Sequence, residues 1–283
     1  MHPQDAPTKN ANYYDRLKYL SPNNQPTPAT DDEKLLLQQA VGLFLYYARA
    51  VDSTMLFPLN ALAAQISTCN SNTMKELQHF FNYAATHPDA KIVYKRSDMI
   101  LHIYTDASYL TAAQAKSRAG GYFYLSNQHY DPHGELNGSI YIECSVMKNV
   151  LASAMEAELG GMFRNAQQGA WIRTILEEMG HKQPPTFLIT DNTAAKSVAE
   201  GTAKQRKSRA INMNFYWIRD RINQGQFQII WEKGTNNIAD YFTKFHPTYH
   251  HRKIRYRILE PTTKDKIIRL TNNTSKVYPA RVC

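Results

Sequence analysis

The sequence predicts an α/β fold: a mixed sheet with helices on its faces, preceded by a small helical block. Three observations carry this. The short β-branched and aromatic runs "ILHIYTD", "GGYFYLS" and "GSIYIECSVM" are separated by Gly, Asn and Asp clusters such as "NQHYDPHGELNG" and read as three antiparallel strands. From Val150 onward the pattern turns to strand–helix alternation, and hairpins followed by such alternation make a mixed sheet. Residues 31–88, in contrast, are patterned for helices throughout.

The elements follow in order. Residues 1–30 are polar, hold five prolines (Pro3, Pro7, Pro22, Pro26 and Pro28) and read as a loosely held arm. Thr30 and Glu33 have capping-box spacing ahead of "LLLQQAVGLFLYYARAV", so a helix is predicted from Asp31 to about Ala50. A second helix covers "PLNALAAQIS", and a third opens at Thr73, with Glu76 three residues on, and stops before His87-Pro88. "KIVYKRS" reads as a small lead-in strand to the three main strands. A long helix then runs from Val150 to about Met179, with Gly160-Gly161 and Gly169 as candidate breaks. "TFLIT" is a strand ending on Asp191, "NTAAKSVAE" a short helix, "RKSRAINMNFYWIRDRINQ" a longer one, "QFQIIW" a last strand and "NNIADYFTKF" a last helix. The expected division is an arm over 1–30, a helical segment over 31–98, the sheet domain over 99–244 and a basic tail over 245–283.

Composition narrows the class. At 43% hydrophobic the chain can build a core, and its net charge of +9 favours acidic partners. Nine Lys or Arg against two acids lie from Phe245 onward, so seven of the nine net charges are in the tail. That tail reads either as a solvated extension or as a salt-sensitive contact to a polyanion. Cys69, Cys144 and Cys283 form neither a CxxC pair nor a disulfide framework, and the first thirty residues are no secretory signal; both favour an intracellular location, cytoplasmic or nuclear. The most apolar run is interrupted by Gln38, Gln39, Arg49 and Asp52, so a buried helix is expected and no membrane span.

Four acids occupy comparable places. Asp106 ends the first strand, Glu158 sits on the long helix, Asp191 ends the fourth strand and Asp240 lies in the last helix. In such sheets ligands gather at the carboxyl ends of strands. If those two strands are neighbours, Asp106 and Asp191 come close, and like charges at that range need a cation or a raised pKa. Hard oxygen ligands suit Mg²⁺ or Mn²⁺. Each acid also has an ordinary reading. Asp106 and Asp191 fit turn formers at strand ends, Glu158 a solvated helix residue like Glu156, and Asp240 a surface pair with Lys233 or Lys244. "HPTYHH" brings together His246, His250 and His251, but no Cys or acid beside it completes a metal site, so it reads as part of a polar tail.

The wording around these acids, "YTDAS", "SRAGGYFYLS", "SAMEAELGGM", "LITDNTAA" and "NIADYFTK", resembles the ribonuclease H domain of copia-type (Pseudoviridae) retrotransposon Pol polyproteins, from about Met99 to Lys244. "VGLFLYYARAVDSTMLFPLNALAAQIS" and "MKELQHFFNYAATHPDAKIVYKRS" are similar to the segment that follows the polymerase palm in the same polyproteins, with Arg49-Ala50-Val51-Asp52 at its usual Arg-Pro-Asp turn. The resemblance implies a ribonuclease H-like five-stranded sheet whose first three strands are antiparallel. It implies an endonuclease that cuts the RNA strand of RNA–DNA hybrids with two Mg²⁺ or Mn²⁺ ions. Asp106 would bridge both ions, Glu158 and Asp191 would hold the one near the leaving 3′ oxygen, and Asp240 would hold the nucleophile-side ion. Ser108 and Ser153 match places where the family touches the nucleic-acid backbone, and "RKSRAI" offers Lys207 and Arg209 to substrate phosphates, although a solvated helix face explains these two equally well. The polymerase part of the same polyprotein is the expected partner, and a particle-associated cytoplasmic or nuclear location follows.

The sequence departs from the family's pattern in two places. The loop before the last Asp, "EKGTNN", lacks the His that many ribonucleases H carry there, which implies slower turnover. The family's Lys-His-Ile-Asp run reads here Arg209-Ala210-Ile211-Asn212, which leaves no counterpart for its His and Asp. The only adjacent Asp pair, Asp31-Asp32, sits at a helix start, where the helix dipole explains it, so no polymerase centre is expected. The chain reads as a C-terminal piece of a polyprotein or the product of a degraded element. A catalytically silent nucleic-acid binder is the alternative function. Integrases and transposases close with Glu where this chain has Asp240, and 3′–5′ exonucleases place Glu where it has Ser108, so both are set aside.

Overall fold

The computed structural model describes residues 4–8, 26–112, 115–132, 134–193, 196–197, 201 and 209–260. Three helices come first: α1 (Asp31–Ala50), α2 (Leu56–Ala63) and α3 (Ser71–Thr86). The sheet follows with β1 (Ile100–Ala112), β2 (Lys116–Ser126) and β3 (Ser139–Val146), then α4 (Ala154–Glu178), β4 (Thr186–Thr190), α5 (Arg209–Asn223) and β5 (Phe227–Trp231). A 3-10 helix, Ile238–Phe242, and α6 (Thr248–Ile258) complete the described chain. No described helix is long and apolar enough to cross a membrane.

The sheet order is β3-β2-β1-β4-β5. β1–β2 and β2–β3 pair antiparallel, whereas β4 runs parallel to both β1 and β5. This is the mixed five-stranded ribonuclease H-like architecture that the sequence predicts. The period-two alternation of β1 divides its side chains between two cores. Leu101 and Ile103 pack with Leu159, Met162 and Ala166 of α4 and Phe215 and Ile218 of α5, while Tyr104 joins the opposite core. There Leu37, Leu56, Leu59 and Phe80 of the helical block meet Tyr122, Ile142 and Phe242, so the block and the sheet share one interior.

Local chemistry sets the element ends. Thr30 Oγ1 accepts from the Glu33 amide at 3.2 Å and the Glu33 carboxylate accepts from the Thr30 amide at 2.8 Å, which starts α1 at Asp31 as the capping box predicts. α3 opens earlier than Thr73, because Asn70 Oδ1 accepts from the Asn72 amide at 2.9 Å and from the Thr73 amide at 3.3 Å. The expected lead-in strand "KIVYKRS" does not form. The Asn137 side chain answers that backbone instead, accepting from the Lys95 amide at 2.7 Å and donating to its carbonyl at 3.0 Å. Most of the expected short helix after Asp191 lies outside the described residues. The expected last helix is the five-residue 3-10 helix, capped by Asn237. The segment read as a polar tail holds α6, in which His251, Ile254, Arg255 and Ile258 are buried.

One contact fixes where the 3-10 helix lies. A Cβ at Gly120 of β2 would come within 2.6 Å of the Ala239 carbonyl oxygen and of Thr243 Cγ2. Gly120→Ala is therefore expected to push that segment off the sheet and to cost roughly 1–3 kcal/mol, read as a lower melting temperature. An unchanged midpoint would show that the close approach carries no strain.

Candidate active site

The first strand does not stop at its carboxylate. β1 continues six residues past Asp106 to Ala112, and its register with β2 shifts between Ser108 and Ala112, where Leu110 takes a positive φ of 56°. What ends near the site is the parallel pairing: the β1–β4 partners run from His102↔Phe187 to Tyr104↔Ile189. Asp106 and Asp191 therefore lie just beyond the paired carboxyl-end region, on neighbouring strands.

Glu158 is delivered by α4, whose N-cap is Ser153; the Ser153 Oγ accepts from the Glu156 amide at 3.2 Å. α4 can lie close to β1 because position 161 is Gly: a Cβ there would sit 3.1 Å from the Asp106 carbonyl oxygen and from Ala107 Cβ. Carboxylate oxygens of Asp106, Glu158 and Asp191 all lie within 4.8 Å of one another. Asp106 is 5% exposed, and the other two are half-buried.

Electrostatics make this gathering unfavourable without a cation. Burial pushes the Asp106 carboxyl up to about 7, and the charges of Asp240 and Asp191 add to the rise while the Thr243 hydroxyl and Lys244 oppose it. Burial likewise pushes Glu158 up to about 9, reinforced by Asp106 and Asp191. Three converging oxygen donors of this kind fit a hard divalent ion such as Mg²⁺ or Mn²⁺.

Neighbours that the sequence reading did not single out orient these acids. The Thr243 hydroxyl donates to Asp106 Oδ2 at 2.6 Å. Asn237 Nδ2 donates to the Thr105 carbonyl at 3.0 Å and to Asp191 Oδ1 at 3.4 Å, and Trp231 Nε1 donates to the Asp191 carbonyl at 3.0 Å. Asn165, fully buried on α4, donates to Thr105 Oγ1 and to the Gly120 carbonyl, both at 2.8 Å, which ties α4 to β1 and β2. Gly160-Gly161 and Gly169, candidate breaks by sequence, lie inside an unbroken α4, where Gly161 and Gly169 instead allow close packing on β1; Thr243 and Asn237 left no signal in the sequence.

Asp240 stands apart from the other three. It lies near enough for its charge to raise Asp106, but its own carboxylate is ion-paired by Lys244, with His246 Nε2 3.7 Å from Oδ2. Burial pushes His246 down to about 4. The structure thus draws Asp240 into the surface pair with Lys244 that the sequence offered as its ordinary reading, while keeping it beside Asp106. The Ser108 hydroxyl donates to the Thr243 carbonyl at 2.8 Å, so this residue links β1 to the chain after the 3-10 helix. Arg209 is the first residue of α5, and Lys207 lies outside the described residues.

The fold and the acidic cluster together define a ribonuclease H-like α/β domain. No family model matches the chain. The chain is similar to the retrovirus-related Pol polyprotein of transposon TNT 1-94 from Nicotiana tabacum, at 19% identity over 234 residues, which are 81% of this chain and 17% of that protein. It is also similar to the Pol polyprotein of transposon RE1 from Arabidopsis thaliana, at 21% identity over 71% of this chain and 13% of that protein. The chain thus spans less than a fifth of the length of these relatives. Among solved structures, LC11-RNase H1, isolated from compost, is similar at 14% identity and a TM-score of 0.37, covering 51% of this chain and 93% of that one.

Proposed function

We propose that this chain is the ribonuclease H portion of a copia-type retrotransposon Pol polyprotein, a metal-dependent endonuclease that hydrolyses the RNA strand of RNA–DNA hybrids. The observation that carries this reading is the approach of Asp106, Glu158 and Asp191 to within 4.8 Å on elements of a ribonuclease H-like sheet. Bound there, divalent ions supply Lewis-acid stabilisation of the leaving oxygen and a more acidic water. The protein would supply the anionic donor set of Asp106, Glu158, Asp191 and Asp240, with Asp240 beside Asp106, Asp106 oriented by Thr243 and Asp191 by Asn237, so that little reorganisation is left for the moment of reaction. Ser108, Ser153 at the α4 N-cap, Lys207 and Arg209 are proposed contacts to the nucleic-acid backbone, and the basic excess of the chain favours a polyanionic substrate. The polymerase part of the same polyprotein is the proposed partner.

The test is direct. Full-length chain is incubated with an end-labelled RNA–DNA hybrid in Mg²⁺ or Mn²⁺. Cleavage of the RNA strand alone, stopped by chelation and absent on duplex DNA, is expected. The Asp240–Lys244 pair favours a second reading, a silent hybrid-binding remnant. Retained hybrid binding without cleavage in either ion would select it, and loss of both would reject the nuclease assignment. Thr243→Val removes the donor to Asp106 and is expected to weaken the apparent Mg²⁺ affinity of cleavage by roughly 10–100-fold. An unaltered Mg²⁺ titration would remove Thr243 from the site.

A further inference from the structure

The loop "EKGTNN", which carries no histidine, opens on a buried carboxylate. Glu232 is 9% exposed and follows β5 directly. Its backbone amide donates to the Thr190 carbonyl at 2.9 Å, so it stands beside Asp191 at the same end of the sheet. Both of its carboxylate oxygens accept from protein donors. Oε1 takes Asn236 Nδ2 at 2.9 Å and the Lys233 backbone amide at 3.1 Å, and Oε2 takes the Tyr130 hydroxyl at 2.9 Å. The Tyr130 hydroxyl lies 3.2 Å from that of Tyr104, two residues before Asp106 on β1. Glu232 thus joins the end of β5, its own loop and the β2–β3 connection, and reaches β1 through Tyr130. The same loop meets the acidic cluster at two points. A Cβ at Gly234 would come within 2.6 Å of Asp191 Oδ2, so the backbone there lies against that carboxylate. Asn237 Nδ2 donates to the Thr105 carbonyl and to Asp191 Oδ1, while its Oδ1 accepts from the Ala239 amide at 3.1 Å and starts the 3-10 helix that carries Asp240.

We propose that Glu232 is a positioning residue of the acidic site, acting through the loop from Lys233 to Asn237. It rests on the nuclease reading, because the acids it serves are the same ones. The loop is a tight turn, with the Asn236 amide donating to the Lys233 carbonyl at 2.8 Å and the Asn237 amide to the Gly234 carbonyl at 3.2 Å. Glu232 grips this turn at both ends, at the Lys233 amide and the Asn236 side chain, so a shift there passes directly to Gly234 and Asn237. Those two residues bear on Asp191, and Asn237 also fixes the start of the helix with Asp240. Partners behind a set of metal ligands hold them in the geometry an ion requires, and changing them weakens binding without removing a ligand. A loop segment needs such support more than a strand or helix does. Glu232→Ala would leave the Tyr130 hydroxyl and Asn236 Nδ2 without this acceptor and free the turn. Glu232→Gln keeps the shape: its oxygen can accept from Asn236 and Lys233, and its amide can donate to the Tyr130 hydroxyl.

The test is calorimetric titration of Mn²⁺ into chelator-stripped, full-length chain, beside hybrid cleavage across a range of Mg²⁺. Glu232→Ala is expected to weaken Mn²⁺ binding by roughly 10–100-fold, and Glu232→Gln to restore most of it. Cleavage by Glu232→Ala should fall in kcat at limiting Mg²⁺ and recover at high Mg²⁺, with KM for the hybrid unchanged. A merely structural role would lower the melting temperature and leave the Mn²⁺ affinity of the folded protein intact. Tyr130→Phe removes one donor to Glu232 and little volume, so it is the variant to read if Glu232→Ala does not fold; it should weaken Mn²⁺ binding in the same direction. Mn²⁺ binding at wild-type strength in both Glu232→Ala and Tyr130→Phe would overturn the inference and leave the nuclease reading standing. A Glu232→Gln chain as weak as Glu232→Ala would also overturn it, because the charge and not the grip on the loop would then matter. A wild-type chain that neither binds Mn²⁺ nor cleaves the hybrid would instead remove the nuclease reading, and this inference with it.

Discussion

Asp106→Asn is expected to lower Mg²⁺-dependent cleavage of a hybrid by on the order of 10³-fold while leaving the protein folded. The amide keeps the shape of the side chain and can still accept from the Thr243 hydroxyl, so the change removes charge and little else. The same substitution should stabilise the metal-free protein. The Asp106 carboxyl is raised from an ordinary 3.8 to about 7 by burial and by neighbouring charge, so the folded state holds its proton more tightly than the unfolded state. A raised carboxyl contributes its stability below the ordinary value and loses it as pH climbs through the raised one. Metal-free wild type should therefore lose stability between about pH 4 and 7, and Asp106→Asn should show a flatter profile across that window. Adding Mg²⁺ should raise the melting temperature of wild type more than that of the variant. Melts with and without chelator, run beside the cleavage assay, separate these effects. A variant that still cuts within about tenfold of wild type, a difference of some 1.4 kcal/mol in barrier, would show that Asp106 is not at the reacting centre. Asp191→Asn should abolish cleavage similarly, since its carboxylate belongs to the same cluster.

Much of the sheet was legible because period-two patterning and turn residues are local signals. The three antiparallel strands, the long helix and the two later strands stand where the sequence put them. The approach of Asp106 and Asp191 was legible for a related reason: each lies two residues past the last paired residue of a parallel strand pair, so neighbouring strands bring them together. What could not be read was long-range. The end of β1 was set too early, because the β2 residues from Gly120 to Arg118 continue the ladder past Asp106 and no turn signal marks that. "KIVYKRS" looks like a strand by composition, but its backbone bonds go to a loop: Lys95 to the Asn137 side chain and the Val93 carbonyl to the Gly138 amide. The pair of Asp240 with Lys244 was legible, but its histidine neighbours were not. Its neighbours His246 and His250 follow a stretch that resembles no helix end, and only the packing of α6 brings them back.

The second large effect lies in that packing. Arg255→Leu is expected to destabilise the protein by about 3–5 kcal/mol, the cost of stranding a buried partner charge, which corresponds to roughly 10 °C in melting temperature. Arg255 of α6 and Asp52, at the start of the α1–α2 connection, are 203 positions apart, and their side chains are 5% and 0% exposed. Arg255 Nη1 donates to Asp52 Oδ2 at 2.5 Å and to the Tyr83 hydroxyl at 2.9 Å, while Asp52 Oδ1 accepts from the Thr54 amide at 3.1 Å. The Arg49-to-Asp52 turn is thus closed by a distant arginine, and Arg49 itself donates to the Ile142 carbonyl at 2.6 Å. From Tyr83 the network continues through His251 to Tyr241, next to Asp240. Losing Arg255 should therefore disturb the site as well as the fold. Cleavage at a temperature where the variant is fully folded should fall several-fold, roughly 1 kcal/mol of barrier. The double change Asp52→Leu with Arg255→Leu removes both charges and should recover much of the stability, because replacing a whole buried pair with apolar groups is often neutral. A single variant that melts within about 2 °C of wild type, less than 1 kcal/mol, would show that this pair does not hold α6 against the helical block. Recovery of stability in the double variant without recovery of cleavage would place the effect on Asp240 in the hydrogen-bond chain through His251 and Tyr241.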